Sequence, residues 1–174
     1  MRTFRFFAGG FIVLLAGFLL IGVFIPTVNY ETKIEIGRPV NETFAIFKND
    51  TNLGRWMVGF QSLERLEGEA GQAGSLYKVN VLQNGKKFEI MQRIVDREDN
   101  RSLIYELDNE TLNSHVEMKF NDIGLGRTQL VIKNKLRGKT MLLRSVFPFF
   151  KSAFRESDEI NYEQLKRMME RSHS

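Results

Sequence analysis

Four polar side chains fall in the apolar phase of alternating segments: Tyr77, Gln92, Tyr105 and Asn134. A buried phenol or amide needs a hydrogen-bonding partner. Each of the four either bonds to a backbone group or a water, or orients the polar end of a ligand. The residues of covalent and metal chemistry are scarce around them. The sequence contains no Cys, which excludes disulfides, thiolate nucleophiles, zinc–cysteine sites and iron–sulfur clusters. Of the two histidines, His173 is in the C-terminal tail. His115 lies opposite Val116, Met118 and Phe120 in strand phase, so it is expected to face solvent. Glu64, Glu67 and Glu69 sit near a glycine-rich turn, and Asp96, Glu98 and Asp99 flank a hairpin end. Of these, Glu64, Glu67 and Glu69 read as solvated. No Ser-His-Asp order, G-x-S-x-G, P-loop or G-x-G-x-x-G occurs. The loop from Gly68 through Gly71 to Gly74 lacks the following helix and lysine of a phosphate cradle, and reads as a flexible strand connection. The expectation is no catalytic residue, no metal and no cofactor.

Charge narrows the partners. The net charge is +4, of which Arg2 and Arg5 supply two, leaving +2 on residues 27–174. Phosphate binding needs several clustered cations on an ordered face, so nucleic acid is not expected. One run stands apart. Lys133, Lys135, Arg137, Lys139, Arg144, Lys151 and Arg155 occur without an intervening acid, interleaved with Met141, Leu142, Leu143, Phe147, Phe149 and Phe150. Such a segment suits an anionic membrane surface, or is simply a helix start with a solvated face.

The N-terminus points to a membrane more directly. Phe6 to Ile25 is 20 residues without a charge, about 30 Å of helix, which matches a bilayer core. Phe6, Phe11, Leu15, Leu19 and Ile25 are the expected anchor contacts. Pro26 ends the run. A cleaved signal peptide would have a shorter apolar stretch and small residues at its end, whereas this one reads Val23-Phe24-Ile25-Pro26. With Arg2 and Arg5 ahead of it, the expected topology is a single pass with the N-terminus cytoplasmic and the remainder extracytoplasmic. Two parts follow: an anchor over residues 1–26 and a domain over 27–174.

The domain opens with an alternating strand, Thr27–Ile36, whose apolar face is Val28, Tyr30, Thr32, Ile34 and Ile36. Gly37-Arg38-Pro39 breaks it. A short helix ends near Asn49, and a second, from Asp50 to Val58, contains Trp56. Strands are predicted over residues 63–68, 75–82, 86–98, 102–108, 113–121 and 127–136. Turns at Asn84-Gly85, Asp99-Asn100 and Gly124–Gly126 separate them. From Lys139 to Arg171 the period is helical, with Val146, Phe150, Ala153, Ser157 and Ile160 on one face and Phe147 and Phe154 alongside. Pro148 predicts a break, with the long helix starting near Phe149.

The stretch from Ile34 to Phe60, IEIGRPVNETFAIFKNDTNLGRWMVGF, and the tail FPFFKSAFRESDEINYEQLKRMME carry a resemblance. They look like the opening and closing elements of the START-like, polyketide cyclase/lipid-transport superfamily. The resemblance implies an α+β helix-grip fold, a curved antiparallel sheet wrapped on a long C-terminal helix, here preceded by one transmembrane helix. It also implies a cavity between sheet and helix. The candidates to line it are Trp56, Phe60, Tyr77, Phe88, Ile90, Gln92, Tyr105, Met118, Leu130, Asn134, Phe150 and Phe154.

The resulting expectation is a membrane-anchored, non-catalytic protein that binds an apolar small molecule or lipid. Two alternatives stand beside it: an envelope interaction or regulatory module with a filled core, and a cyclase- or aromatase-type enzyme. A strongly shifted acid inside the cavity would favour the enzyme.

Overall fold

The computed structural model describes residues 2–83 and 85–171, with side chains described from Gly9 onward. Asn84 of the expected hairpin turn, His173, and the side chains of Arg2, Arg5 and Phe6 lie outside the described residues.

Helix α1 runs Arg2–Phe24 and strand β1 Val28–Ile36. Helix α2 (Val40–Phe47), a 3₁₀ turn (Asp50–Asn52) and helix α3 (Leu53–Trp56) come next. Six strands follow: β2 (Phe60–Glu67), β3 (Leu76–Gln83), β4 (Lys86–Glu98), β5 (Ser102–Asp108), β6 (Leu112–Asp122) and β7 (Thr128–Gly138). Helix α4 (Met141–Val146), a 3₁₀ turn (Phe147–Phe150) and helix α5 (Lys151–Arg171) close the chain. The order of elements is as expected, but the second short helix is a 3₁₀ turn and a four-residue helix ending at Trp56, and β2 starts at Phe60 rather than at residue 63. Pro148 sits in a 3₁₀ break, where the helical pattern is expected to fail.

The strands form one curved antiparallel sheet in the order β1-β7-β6-β5-β4-β3-β2. The first strand pairs with the last, from Val28↔Leu136 to Ile36↔Thr128. Its strict alternation is the reason: Val28, Tyr30, Thr32, Ile34 and Ile36 are all buried and the residues between them are exposed. A period-two strand presents one face to the core and the other to water. The concave face packs on α5 through Tyr162, Leu165, Met168 and Met169. Phe44 and Phe47 of α2 close one end against Phe120, with ring centroids 5.1 and 5.7 Å apart in edge-to-face geometry. A smaller cluster of Val28, Tyr30, Leu136 and Phe147 sits at the start of α5.

The helical phase differs from the sequence reading by about one residue. Phe150 and Ile160 are more than half exposed, and Ala153 and Ser157 are exposed too. The inward line of α5 is Phe154, Asp158, Tyr162, Leu165 and Met169. Phe150, expected on the inward face, turns to the outside, whereas Phe147 is buried. Phe149 stacks on Phe18 of α1, with centroids 6.4 Å apart.

Helix α1 packs against α4. The Gly22 amide donates to Ser145 Oγ at 3.2 Å, and Ser145 Oγ lies 3.3 Å from the Leu19 carbonyl oxygen. A Cβ at Gly22 would stand 2.6 Å from Ser145 Oγ, so glycine permits this approach. Phe11, Leu14 and Phe24 are exposed, as is half of Leu15. Leu19 is half-buried beside α4, and Ile25 is exposed just past the helix end. Among the described residues no helix is long and apolar enough to cross a membrane. A span reckoned from Phe6 draws on side chains outside that set.

Candidate functional site

A cavity of about 530 Å³ opens between α5, α3 and the concave face of β3–β7. That volume lies within the range of small-molecule pockets, roughly 300–1,000 Å³. Its walls are mostly apolar, with Phe47, Leu53, Val81, Leu103, Leu107 and Val116 among them. Curvature explains the space. A single helix lying along one side of a strongly bent sheet cannot reach all of its concave face, so side chains of ordinary size leave a hollow.

Seven of the sequence candidates line this cavity: Trp56, Tyr77, Ile90, Gln92, Tyr105, Met118 and Asn134. The other five lie elsewhere. Leu130 is fully buried in the packed core. Phe60 packs at the core margin, its ring 3.1 Å from where a Cβ on Gly54 would stand. Phe88 is 38% exposed, toward the β3–β4 hairpin end. Phe150 faces outward, and Phe154 packs on Phe147 with ring centroids 5.2 Å apart.

The polar centre of the cavity is Asp158, which the sequence reading passed over. Tyr30 on β1 and Asn134 on β7 stand opposite each other in register. The Tyr30 hydroxyl donates to Asp158 Oδ2 at 2.8 Å and the Asn134 amide donates to the same oxygen at 2.9 Å. Burial pushes the Asp158 carboxyl up to about 6, against the lowering effect of the Tyr30 hydrogen bond. Burial and the Asp158 charge together raise the Tyr30 hydroxyl as well. Tyr162, one turn along α5, is raised by burial first and by Asp158 second. A signal for Asp158 was present: Tyr30 and Asn134 both fall in inward phase, and two buried donors require an acceptor.

A second polar group borders the cavity. The Gly71 amide donates to the Tyr77 hydroxyl at 2.6 Å, and Arg97 Nη1 donates to the Gly71 carbonyl oxygen at 2.6 Å. The loop expected to be a flexible connection is thus tied down at its middle. Arg97 turns inward because the β4–β5 register shifts between Ile94 and Asp96. Its guanidinium lies 5.7 Å from the Phe44 ring centroid and pairs with Asp99. Tyr105 is raised by burial first and by the charge of Asp50 next.

Trp56 Nε1 is buried without a hydrogen-bonding partner. The ring stacks on Tyr162 at 6.4 Å and meets Phe47 in a tilted arrangement at 5.8 Å. His115 is exposed on β6. Among the described residues no cluster of three or more His, Asp or Glu side chains is placed to hold a metal ion. In the basic run, Lys139 pairs with Asp108, and Arg155 pairs with Glu159 at 2.7 Å. Arg144 donates to the Gly138 carbonyl oxygen.

The family model for polyketide cyclase / dehydrase and lipid transport proteins matches residues 27–170. The chain belongs to that family. The match begins just after Pro26 and covers the whole sheet and all of α5 but its last residue. Solved structures agree at the level of the fold. The Zhui aromatase/cyclase from Streptomyces sp. R1128 superposes with a TM-score of 0.70 at 12% identity, covering 85% of this chain and 96% of that one. A START superfamily protein from Mycobacterium smegmatis gives 0.70 at 12% identity, with 82% and 97% covered. A protein of unknown function from Staphylococcus aureus gives 0.67 at 16% identity, with 84% and 97% covered. Comparison with curated proteins returned no match. The polyketide cyclase and lipid transport family holds both binding proteins and enzymes. Membership therefore fixes the architecture and leaves the chemistry to the site.

Proposed function

We propose that this chain is a membrane-tethered, non-catalytic binding protein for an apolar small molecule or lipid, held in the cavity beneath α5. The observation that carries the reading is the cavity itself: about 530 Å³ in a domain of this size, with mainly apolar walls and one convergent polar group. A space that large, left unfilled, forfeits packing contacts that a solid core would keep. An apolar occupant restores them.

The anchor rests on the sequence from Phe6 to Ile25 taken whole, 20 residues without a charge. Phe11, Leu14 and Phe24 add support, each more than 60% exposed on a helix that packs on the domain at α4 and the turn after it. Such surface is stable in lipid and costly in water. The proposed orientation is cytoplasmic N-terminus and extracytoplasmic domain, following Arg2 and Arg5. The chain has no Cys, so a single Glu110→Cys on the exposed β5–β6 turn makes a clean probe. In intact cells a membrane-impermeant maleimide is expected to label it. Labelling only after lysis would reverse the orientation.

Trp56 is the one tryptophan in the sequence and it lines the cavity. Occupancy is therefore readable from its fluorescence. With the full chain in phosphatidylcholine vesicles, bromohexadecane is expected to quench Trp56 saturably. Weak quenching that never saturates would mean that the space does not take up an apolar guest.

An enzymatic reading has one specific observation in its favour. An acid poised near 6 and hydrogen-bonded to Tyr30 is suited to general acid–base work. Both bonds to Asp158 come from rigid strands and hold its charged form in place, which suits recognition equally well.

A further inference from the structure

The geometry points to a ligand whose head group is a hydroxyl that donates a hydrogen bond to Asp158, and against one that ends in a carboxylate or another anion. This rests on the binding reading above and adds the chemistry of the occupant.

Both hydrogen bonds to Asp158 fall on Oδ2, from Tyr30 and Asn134. Among the described residues none reaches Oδ1, although Asp158 lines the cavity. A carboxylate oxygen is an acceptor only, so what the cavity offers there is a place for a donor. An anionic head group would bring like charge against a desolvated carboxylate, where Coulomb repulsion is far stronger than in water. Asp50, also on the cavity wall, adds to that repulsion, partly offset by the charge of Arg65, and Lys48 is the one cation among the lining residues described. Among the described residues no cation contributes to the state of Asp158: the groups that face it are Tyr30 from β1, Asn134 from β7 and Tyr162 on α5 itself.

Trp56 supplies an independent observation. Its indole N–H is buried, unpartnered and on the wall of the same cavity, and its ring stacks on Tyr162, one turn from Asp158. An orphaned buried donor is costly, so this one awaits an acceptor. A hydroxyl both donates and accepts. It can satisfy a free carboxylate oxygen and present a lone pair to an indole, whereas an anion can only accept.

The test uses the full chain in phosphatidylcholine vesicles, with two photoreactive probes of equal chain length. One is a diazirine-bearing hexadecanol. The other is the matching sulfonate, which stays anionic throughout. Labelled cavity peptides are read by mass spectrometry and normalised to labelled lipid. At about pH 8, the alcohol is expected to label cavity residues at least roughly ten-fold more than the sulfonate. In Asp158→Asn that preference is expected to narrow to within about three-fold, since the charge is gone and the shape retained. In the wild-type chain at about pH 5, where Asp158 is protonated, sulfonate labelling is expected to rise, with no such rise in Asp158→Asn. Equal labelling by the two probes at the higher pH, or a preference for the sulfonate, would overturn this assignment and leave the binding function standing. Failure of both probes to label any cavity residue would overturn it together with the binding function.

Discussion

Asp158→Asn is expected to make the protein more stable at pH 7, by about 2 kcal/mol, and to leave it nearly unchanged at pH 4. The sign follows from the direction of the shift. An ordinary Asp carboxyl titrates at 3.8 and this one at about 6, so the folded state holds the proton more tightly than the unfolded chain does. Stability therefore falls as pH rises between those two values and is flat above them. The full cost of ionising Asp158 in place corresponds to about 3 kcal/mol. Asn removes that cost and keeps an oxygen for Tyr30 and Asn134, but it brings an amide N–H that needs a partner of its own, which returns part of the gain. For a domain of this size the melting temperature at pH 7 is expected to rise by about 5 °C, followed by circular dichroism. A fall on mutation at pH 7 would show that the buried carboxylate stabilises the fold. A residue that costs stability at neutral pH and faces a cavity is one kept for what it binds.

Filling the cavity should separate binding from folding. Val81, Val116 and Ser157 line the space from β3, β6 and α5. The triple variant Val81→Phe, Val116→Phe, Ser157→Phe adds about 200 Å³ of side chain without adding a tryptophan, so Trp56 remains a single reporter. Uptake of bromohexadecane is expected to weaken at least about thirty-fold, roughly 2 kcal/mol. Stability is expected to hold or rise, because apolar atoms enter space that lacks contacts. Val116 is 4% exposed, so strain there is the main risk, and the single variants Val81→Phe and Ser157→Phe keep the result interpretable. Undiminished uptake by a folded triple variant would mean that the guest quenches Trp56 from outside, through the bilayer.

How much of this was legible in the sequence depends on the kind of signal. Strands β4 and β5 fall on the residues the alternation predicts, 86–98 and 102–108. A period of two tolerates no drift: one slipped residue turns a strand's apolar face to water. The phase of α5 was harder to read. Phe150 reads as inward-facing because it is large, apolar and in phase, yet it stands 52% exposed, and its neighbour Phe149, 65% exposed, meets Phe18 of α1. A helix that serves two apolar surroundings carries two overlapping stripes, and sequence alone does not say which belongs to the sheet. Asp158 was hidden by the same shift. An acid on a helix full of charges reads as solvated until Tyr30 and Asn134 are placed opposite each other by the pairing of β1 with β7. Arg97 was hidden by the bulge at Val95, which breaks the alternation that had been extended through β4. The candidates that do line the cavity, such as Tyr77, Gln92 and Tyr105, come from the unbroken parts of the strands, where the period holds.

The central claim is that the hollow beneath α5 takes an apolar guest. Native mass spectrometry of the full chain, purified from the membranes of the cells that make it and freed of detergent in the gas phase, weighs that guest directly. The wild-type chain is expected to carry one apolar small molecule per chain, and the filled triple variant none. Wild-type protein at the mass of the bare polypeptide, with nothing released into organic solvent, would contradict the account.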